Sequence, residues 1–340
     1  MQGIHRTAGF GVVIALAVIL IFSGWRYDGF FSEYNVLSVL RYNSMFALVA
    51  LGMCFVIMTG GIDLSVGSVA ALASVCAAYW SSYGLVPGLL AGVAAGIAVG
   101  LINGFVIVHL RILPFIATLA TMLGASGAAL LLSGQQSVPA SYDTNFMALG
   151  QGDFLFLAPD WIQGADAGLV GNMLKFIYGF PIPAWMALIA YGLGSLILNR
   201  TAFGRHVLAV GGGEEASRLM GLPANRTIFL VYVMSGMLAG LAGVILAAQF
   251  GAGQPIEGVG WELFAIASVV VGGTLLTGGK GSVAATLIGT LLLGILFTVL
   301  NFENGMGWIS LSAYWQSVLR GLFLFIVVIL QSRLARAVPT

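Results

Sequence analysis

Residues 86–109 read VPGLLAGVAAGIAVGLINGFVIVH, a long apolar run that contains no Asp, Glu, Lys or Arg. A helix needs about 20 predominantly apolar residues to cross the hydrocarbon core of a bilayer. The run therefore predicts a transmembrane helix, and similar runs recur along the chain. Together they predict about ten spans, at residues 8–23, 44–60, 66–82, 86–109, 113–132, 182–199, 227–249, 263–277, 282–300 and 315–332.

The composition indicates the same fold class. Hydrophobic residues make up 59% of the 340 residues and charged residues only 7%, whereas a soluble protein has about 25% charged residues. Such a chain cannot build a water-facing surface, so we expect most of its surface to face the lipid bilayer. We predict an all-α integral membrane protein, a bundle of about ten transmembrane helices in one domain over residues 1–340. The formal net charge of +1 gives no reason to expect a nucleic-acid partner.

The basic residues predict the orientation. With a cytoplasmic N-terminus, Arg26, Arg41 and Lys175 fall outside, Arg320 falls within the last span, and nine others fall inside. Cytoplasmic loops carry an excess of Lys and Arg, so we expect both termini in the cytoplasm. Residues 133–181 are then a periplasmic loop, and residues 199–226 are a cytoplasmic loop. The nine inside are Arg6, Arg111, Arg200, Arg205, Arg218, Arg226, Lys280, Arg333 and Arg336.

Glycine recurs at every fourth position of the opening run. The five positions are Gly88, Gly92, Gly96, Gly100 and Gly104. This spacing keeps them on one helix face, where small residues let a neighbouring backbone pack closely. The face is either a static helix contact or a surface that slides during gating, and the sequence leaves both interpretations open.

The most distinctive segment separates the second and third predicted spans. It reads Gly60-Gly61-Ile62-Asp63-Leu64-Ser65-Val66-Gly67-Ser68. The two glycines break the preceding helix, and the side chain of Asp63 or Ser65 is suited to cap the next helix by accepting a backbone N–H. Alternatively, the segment borders a translocation path, because irregular backbone at membrane depth is tolerated only inside the protein or beside a water-filled cavity.

Further polar residues in or near predicted spans are Asn103, His109, Gln249, Glu262 and Arg320. A cation at the bilayer centre costs about 2.5–3.5 kcal/mol or more. Arg320 therefore either extends to the outer interface, near Glu303, or faces the translocation path with the two amides.

The chain shows no motif for catalysis or metal binding. Residues 273–282 read GTLLTGGKGS, but Gly279 separates Gly278 from Lys280 and Gly281 follows the lysine, so the pattern is not a phosphate-binding loop. Cys54 and Cys76 lie in apolar runs, where cysteine commonly acts as a small apolar residue. We expect a non-catalytic chain that holds neither a cofactor nor a metal of its own.

A short helix is predicted within the cytoplasmic loop. Three glycines precede two acids, which suit the positive end of a helix dipole, and Gly221 with Pro223 ends the helix. Such a short helix is not stable alone, so it must pack on its own bundle or on another protein. Its residues are Glu214, Glu215, Ala216, Ser217, Arg218, Leu219, Met220 and Gly221.

Three stretches resemble the permease subunits of bacterial ABC importers of monosaccharides, which include the ribose, xylose, arabinose and galactofuranose systems. They are residues 60–68, residues 203–222 and residues 268–279, which read SVVVGGTLLTGG. Residues 258–263 and the pair Asn301-Phe302 resemble the second permease of the galactofuranose importer most closely. Gly213 departs from the pattern, because many members have Asn there.

The resemblance implies a multi-pass permease of the bacterial inner membrane with three kinds of partner. A second permease subunit, homologous or identical, completes the pathway. A dimer of cytoplasmic ATPases binds ATP and Mg²⁺, and a periplasmic binding protein delivers the sugar and sets most of the specificity. The short helix at 214–221 docks on the ATPase in this family and couples ATP hydrolysis to transport.

Other functions remain open on the sequence alone. An ABC permease for another solute, such as branched-chain amino acids, shares part of the resemblance. A secondary carrier would work without an ATPase, but it needs charged groups within the membrane, and this chain has few. A membrane scaffold would leave the charged loop 199–226 without a role.

Overall fold

A computed structural model describes residues 2–155, 159, 168–306, 315, 318, 319, 321, 322 and 325. Its helices are α1 Gln2–Arg26, α2 Glu33–Met58, α3 Val66–Ser81, α4 Leu85–His109, α5 Pro114–Ser133, α6 Ala148–Gln151, α7 Gly168–Tyr178, α8 Ile182–Arg200, α9 Ala202–Gly212, α10 Glu214–Leu219, α11 Ala224–Phe250, α12 Trp261–Val271 and α13 Val283–Met306. Two short strands, β1 Val138–Pro139 and β2 Ala252–Gly253, pair antiparallel. A 3₁₀ turn, Asn145–Met147, precedes α6.

Six helices in the described part of the chain are long and apolar enough to cross a membrane. They are α2, α4, α5, α8, α11 and α13. Shorter apolar helices cover Gly11–Arg26, Val66–Ser81 and Trp261–Val271. The predicted all-α membrane fold is confirmed. The last predicted span, 315–332, falls mostly outside the described residues, and Arg320 lies outside them.

The segments between the helices gather at two ends of the bundle. At one end, Gly279 N donates to Met58 O at 2.9 Å, and this end carries α10. At the opposite end, β1 pairs with β2, and Tyr27 Oη donates to Glu303 at 2.6 Å. We call these the α10 end and the β1–β2 end. The described part of the predicted outer loop 133–181 lies at the β1–β2 end, and the predicted inner loop 199–226 lies at the α10 end.

Helix α11 forms the centre of the bundle and packs against α2, α3 and α4. The side chains of Val231, Tyr232, Ile245 and Leu246 are at most 1% exposed. Between them lie small residues, including Gly236, Gly240 and Gly243, that let the neighbouring backbones approach. Close backbone packing is therefore available on several sides of α11.

Two non-helical segments enter the bundle from opposite ends. Residues 59–65 turn back inside after α2 and lead into the short helix α3. Residues 251–260 run back along α3: Gln254 N donates to Ser74 Oγ at 2.9 Å, and Gly258 packs backbone to backbone on Gly67. A side-chain carbon at Gly67 would collide with the carbonyl of Gly258. Both α3 and α12 are short because they begin inside the bundle.

The structure corrects several predicted boundaries. Helix α2 begins at Glu33, well before the predicted start at 44, because polar residues such as Arg41 and Asn43 interrupt the apolar run while the helix continues. Helix α12 ends at Val271 rather than near 277, because the chain turns at Gly273, which has a positive φ of 87°. Helix α9 was not predicted; it buries Val207 and Val210 and leaves its other face more open.

Candidate functional site

Asp63 lies inside the bundle, in the turn between α2 and α3. Its side chain is only 1% exposed. Its carboxylate accepts hydrogen bonds from Ser65 N at 3.0 Å, from Ser65 Oγ at 2.6 Å and from Ser235 Oγ at 2.8 Å. Because Ser235 lies near the middle of α11, Asp63 sits near the middle of the bundle.

Of the two predicted capping side chains, Ser65 does not cap α3, whereas Asp63 does accept a backbone N–H. Ser65 does occupy the N-cap position of α3, but its side chain makes no capping hydrogen bond. It donates instead to Asp63, which also accepts the backbone N–H of Ser65. The carboxylate thus orders the turn before α3, and its remaining bond to Ser235 joins that turn to α11. Ser68 Oγ donates to Ser65 O at 2.9 Å within the first turn of the helix.

Further polar side chains extend these contacts to α4 and α5. Asn103 Nδ2 donates to Ser65 Oγ at 3.0 Å, and Thr121 Oγ1 donates to Asn103 Oδ1 at 2.6 Å. We call Asp63, Ser65, Asn103, Thr121 and Ser235 the Asp63 network. It joins α3, α4, α5 and α11: the Asp63 carboxylate accepts from Ser65 and Ser235, and neutral groups bond to one another from Ser65 to Asn103 and Thr121. The sequence pointed to Asp63, Ser65 and Asn103, but it gave no sign of Thr121 or Ser235.

The glycines of this segment allow the tight turn. Gly60 has a φ of 84°, a conformation that favours glycine. A Cβ at Gly61 would collide with the hydroxyl of Tyr232, which is buried and has no hydrogen-bond partner among the described residues. The translocation-path interpretation of this segment remains a prediction, because the contacts alone are also those of a packed structural break.

The predicted glycine face of α4 packs against α11. A Cβ at Gly96 would collide with the carbonyl of Gly236, and a Cβ at Gly100 would lie 2.6 Å from the carbonyl of Tyr232. Gly92 meets Val244 of α11 and also α3, and Gly104 meets Phe229 of α11, whereas Gly88 at the start of the face meets Phe146 and α3. The face is a close helix contact in this conformation, and the sliding role remains a prediction.

Helix α10 forms where the sequence predicted a short helix. It spans Glu214–Leu219, and Gly221 follows with a φ of 78°. The side chains of Leu219 and Met220 are 86% and 68% exposed. Arg218 forms an exposed salt bridge with Glu214 at 2.6 Å, Glu215 and Ala216 are exposed, and Ser217 is buried. Two large apolar side chains are therefore exposed on the surface at the α10 end.

A junction of glycines connects α10 to the turn that holds Asp63. Helix α9 ends next to α10, and a Cβ at Gly211 would collide with the carbonyl of Met58 and the amide of Gly279. Gly278 lies against Gly211 and against the amide of Gly60, with its own φ at 83°. We call Gly211, Gly278, Gly279 and the segment Met58–Gly60 the glycine junction. A displacement of α10 has a short, backbone-to-backbone route to the Asp63 network.

Gln249 does not join these residues. It lies at the β1–β2 end of α11, where its carbonyl accepts a hydrogen bond from Gln151 Nε2 at 3.0 Å. Its buried side-chain oxygen has no hydrogen-bond partner among the described residues. Gln249 therefore lies apart from Asp63 and Asn103, and its predicted place on the translocation path remains a prediction.

Known proteins resemble the chain over most of its length. A family model described as "Branched-chain amino acid transport system / permease component" matches residues 35–328. The ribose import permease protein of Haemophilus influenzae is 35% identical over 324 residues, which cover 93% of this chain and 90% of that protein. The L-arabinose transport system permease protein of Escherichia coli is 37% identical over 322 residues, covering 94% and 89%.

A third relative, the xylose transport system permease protein of Escherichia coli, is 32% identical over 371 residues, covering 96% of this chain and 92% of that protein. No solved structure matches the chain. The family match and the long alignments agree with the multi-pass membrane fold described above. The chain therefore belongs to this family of transport-system permease components.

Proposed function

We propose that this chain is the membrane-spanning subunit of an ATP-driven importer that carries a monosaccharide across the bacterial inner membrane. The relatives named above are permeases for ribose, L-arabinose and xylose, and they align over nearly the whole chain. The structural observation that carries the proposal is α10, a short helix with Leu219 and Met220 exposed. A helix of this length needs a partner surface to be stable.

The partner set follows from this role. A dimer of cytoplasmic ATPases binds ATP and Mg²⁺ and receives α10, a second permease subunit completes the pathway, and a periplasmic binding protein delivers the sugar. The permease itself has no catalytic role. This arrangement places the α10 end in the cytoplasm and the β1–β2 end in the periplasm, with ten spans and both termini inside.

The glycine junction gives this chain a route from hydrolysis to transport. Closure of the ATPases pushes α10, and α10 moves Gly211 against Met58 and Gly279. The turn at Gly60 then shifts the Asp63 network, which joins α3, α4, α5 and α11. Because hydrogen bonds tie these helices together, they move as a group between outward and inward access.

The orientation can be tested by labelling engineered cysteines from outside. Tyr142 is 72% exposed at the β1–β2 end, and Gly212 has open space around its Cβ position at the α10 end. We expect an impermeant thiol reagent to label Tyr142→Cys in intact cells and to label Gly212→Cys only after lysis. The unmodified chain, with Cys54 buried and Cys76 partly buried, supplies the background. The reverse pattern would contradict the orientation.

The identity of the solute needs a direct transport assay. The family description names branched-chain amino acids, and the resemblance of residues 258–263 and Asn301-Phe302 suggests galactofuranose among the sugars. We expect vesicles that contain the permease, its ATPase and its binding protein to hydrolyse ATP faster with a monosaccharide and not with leucine. Ribose, arabinose, xylose and galactofuranose should be compared. Stimulation by leucine and by none of the sugars would show that the transported solute is an amino acid and not a sugar.

A further inference from the structure

A large cavity lies outside the Asp63 network and the glycine junction. Its volume is about 940 Å³, and residues of α2, α12, α13 and the segment 251–260 line it. This size is near the upper end of the range for small-molecule pockets, about 300–1,000 Å³. The cavity lies in the half of the bundle toward the β1–β2 end, since its lining begins with the first turns of α2 and ends with the last turns of α13.

Aromatic rings form one wall of the cavity. The ring centroids of Phe46 and Trp261 are 4.8 Å apart, those of Phe46 and Phe264 are 4.5 Å apart, and those of Phe264 and Phe297 are 5.5 Å apart. Packed in this way, the rings hold one another in place. They offer flat faces to the apolar C–H side of a ligand.

Polar side chains line another part of the cavity, beside aliphatic ones such as Val39, Leu263 and Leu293. Asn35 Nδ2 donates to Phe30 O at 2.7 Å, and Asn43 Nδ2 donates to Val39 O at 2.8 Å. An amide side chain can make about four hydrogen bonds, so each anchored amide keeps capacity for a ligand. Asn301 adds a third amide, and Glu257 adds a carboxylate. Together these groups both donate and accept hydrogen bonds.

This combination of residues selects a class of ligand. The lining residues described include no Lys, Arg or His, so an anionic ligand would meet only the negative charge of Glu257. A lipid acyl chain would leave the amides and the carboxylate in contact with hydrocarbon, which is unfavourable. A neutral polyhydroxylated ring satisfies both walls, because its hydroxyls bind the amides and its C–H face packs on the aromatic rings.

The backbone around the cavity supports a water-accessible site. Residues 257, 259 and 260, which line the cavity, belong to the non-helical segment that packs on α3 at Ser74 and Gly67. Irregular backbone at this depth is tolerated where it is buried in protein or borders a water-filled space. The cavity thus explains why the segment 251–260 leaves the helical pattern inside the bundle.

We propose that this cavity is a monosaccharide-binding site within a single permease chain, formed by Asn35, Asn43, Glu257, Trp261 and Asn301. The inference rests on the proposed function and names where that substrate binds. It assigns part of the sugar selectivity to the permease itself, in addition to the binding protein that the family resemblance implies.

Saturation-transfer NMR on the full chain in lipid nanodiscs tests the site, because the method detects weak binding of small ligands. Ribose, arabinose and xylose serve as probes, and leucine serves as the competing class. We expect Asn301→Leu and Glu257→Gln each to weaken sugar binding about tenfold, the factor expected for one lost hydrogen bond. Asn304→Leu, one turn further along α13 and outside the lining, is the matched control and should bind as the unaltered chain does.

Sugar binding that is equal in all three variants would place the sugar elsewhere and overturn the site. Leucine binding that is lost in Asn301→Leu would overturn the ligand class. Size-exclusion profiles of the variants check that the chain remains folded. Glu257→Gln should disturb folding less than Asn301→Leu, because Glu257 is exposed and glutamine has a similar shape. Sugar-stimulated transport with the ATPase, measured on the unaltered chain, separates a failure of this site from a failure of the proposed function.

Discussion

The Asp63 network and helix α10 are opposite kinds of structure in one chain. The network lies inside the bundle, and its hydrogen bonds are made within the chain, two of them inside the turn before α3 and the others between different helices. Helix α10 is short, exposed and bears two large apolar side chains that the described part of the chain leaves uncovered. The first region stabilises the permease by itself, whereas the second, in the proposed function, is completed by the ATPase. Substitutions in the two regions should therefore separate stability from coupling.

The largest effect on stability is expected for Asp63→Leu. The change leaves the buried N–H of Ser65 and the hydroxyl of Ser235 without their acceptor, and an unsatisfied buried group costs about 1–3 kcal/mol. Asp63→Asn retains an acceptor of similar size and should remain assembled. Thermal stability in detergent, followed by size-exclusion chromatography, measures the difference. If Asp63→Leu melts at the same temperature as the unaltered chain and transports fully, the network has no structural role.

The next largest effect is expected for Gly96→Ala on the glycine face. The added carbon would collide with Gly236 O and would lie 2.7 Å from Gly240 Cα. Overpacking of this kind costs about 1–3 kcal/mol. Gly124→Ala in α5 is the matched control, because it meets nothing within 4 Å, and alanine in a helix is more stable than glycine by about 0.5–1 kcal/mol. In the same melting assay, we expect Gly96→Ala to lower the melting temperature and Gly124→Ala to raise it slightly.

A small effect is expected for Glu214→Gln in α10. The salt bridge to Arg218 is exposed and spans one helical turn, and such pairs contribute about 0.3–0.5 kcal/mol. The melting temperature and the sugar-stimulated ATPase rate should both stay close to those of the unaltered chain. A large loss of ATPase coupling in this single variant would show that charge, rather than apolar burial, holds α10 to its partner.

The same contrast explains what the sequence could predict. The bounds of α10 follow from neighbouring residues: three glycines, two acids and Gly221 mark its start and end. The family resemblance, the membrane fold and the glycine face also follow from local patterns. The Asp63 network does not, because Asp63 and Ser235 are 172 positions apart. A lone Ser in a membrane helix gives no sign of which carboxylate it binds.

The misplaced boundaries have a related cause. A hydropathy window places the start of a span after the last polar residue. Helix α2 nevertheless begins at Glu33 and includes Arg41 and Asn43. Asn43 contributes to the cavity that the tertiary structure forms with α13. In the same way, α12 ends early because Gly273 turns the chain, although the residues that follow are still apolar. Polar residues inside a helix and glycine turns within an apolar run therefore separate the helix bounds from the hydropathy pattern.

The central claim is that α10 belongs to the interface with the ATPase and not to the core of the permease. The double variant Leu219→Asp with Met220→Asp tests it most directly. In the isolated chain, the free energy of unfolding of this variant should lie within about 0.5 kcal/mol of that of the unaltered protein, as is usual for substitutions at exposed positions. Burial of two such side chains contributes about 1.5–3 kcal/mol each, so the ATPase should bind more than about a hundredfold more weakly. Co-purification with the ATPase, together with sugar-stimulated hydrolysis in lipid, measures this loss. A stable permease that no longer retains or stimulates its ATPase is the predicted result, and an undiminished complex with full stimulation would contradict the account.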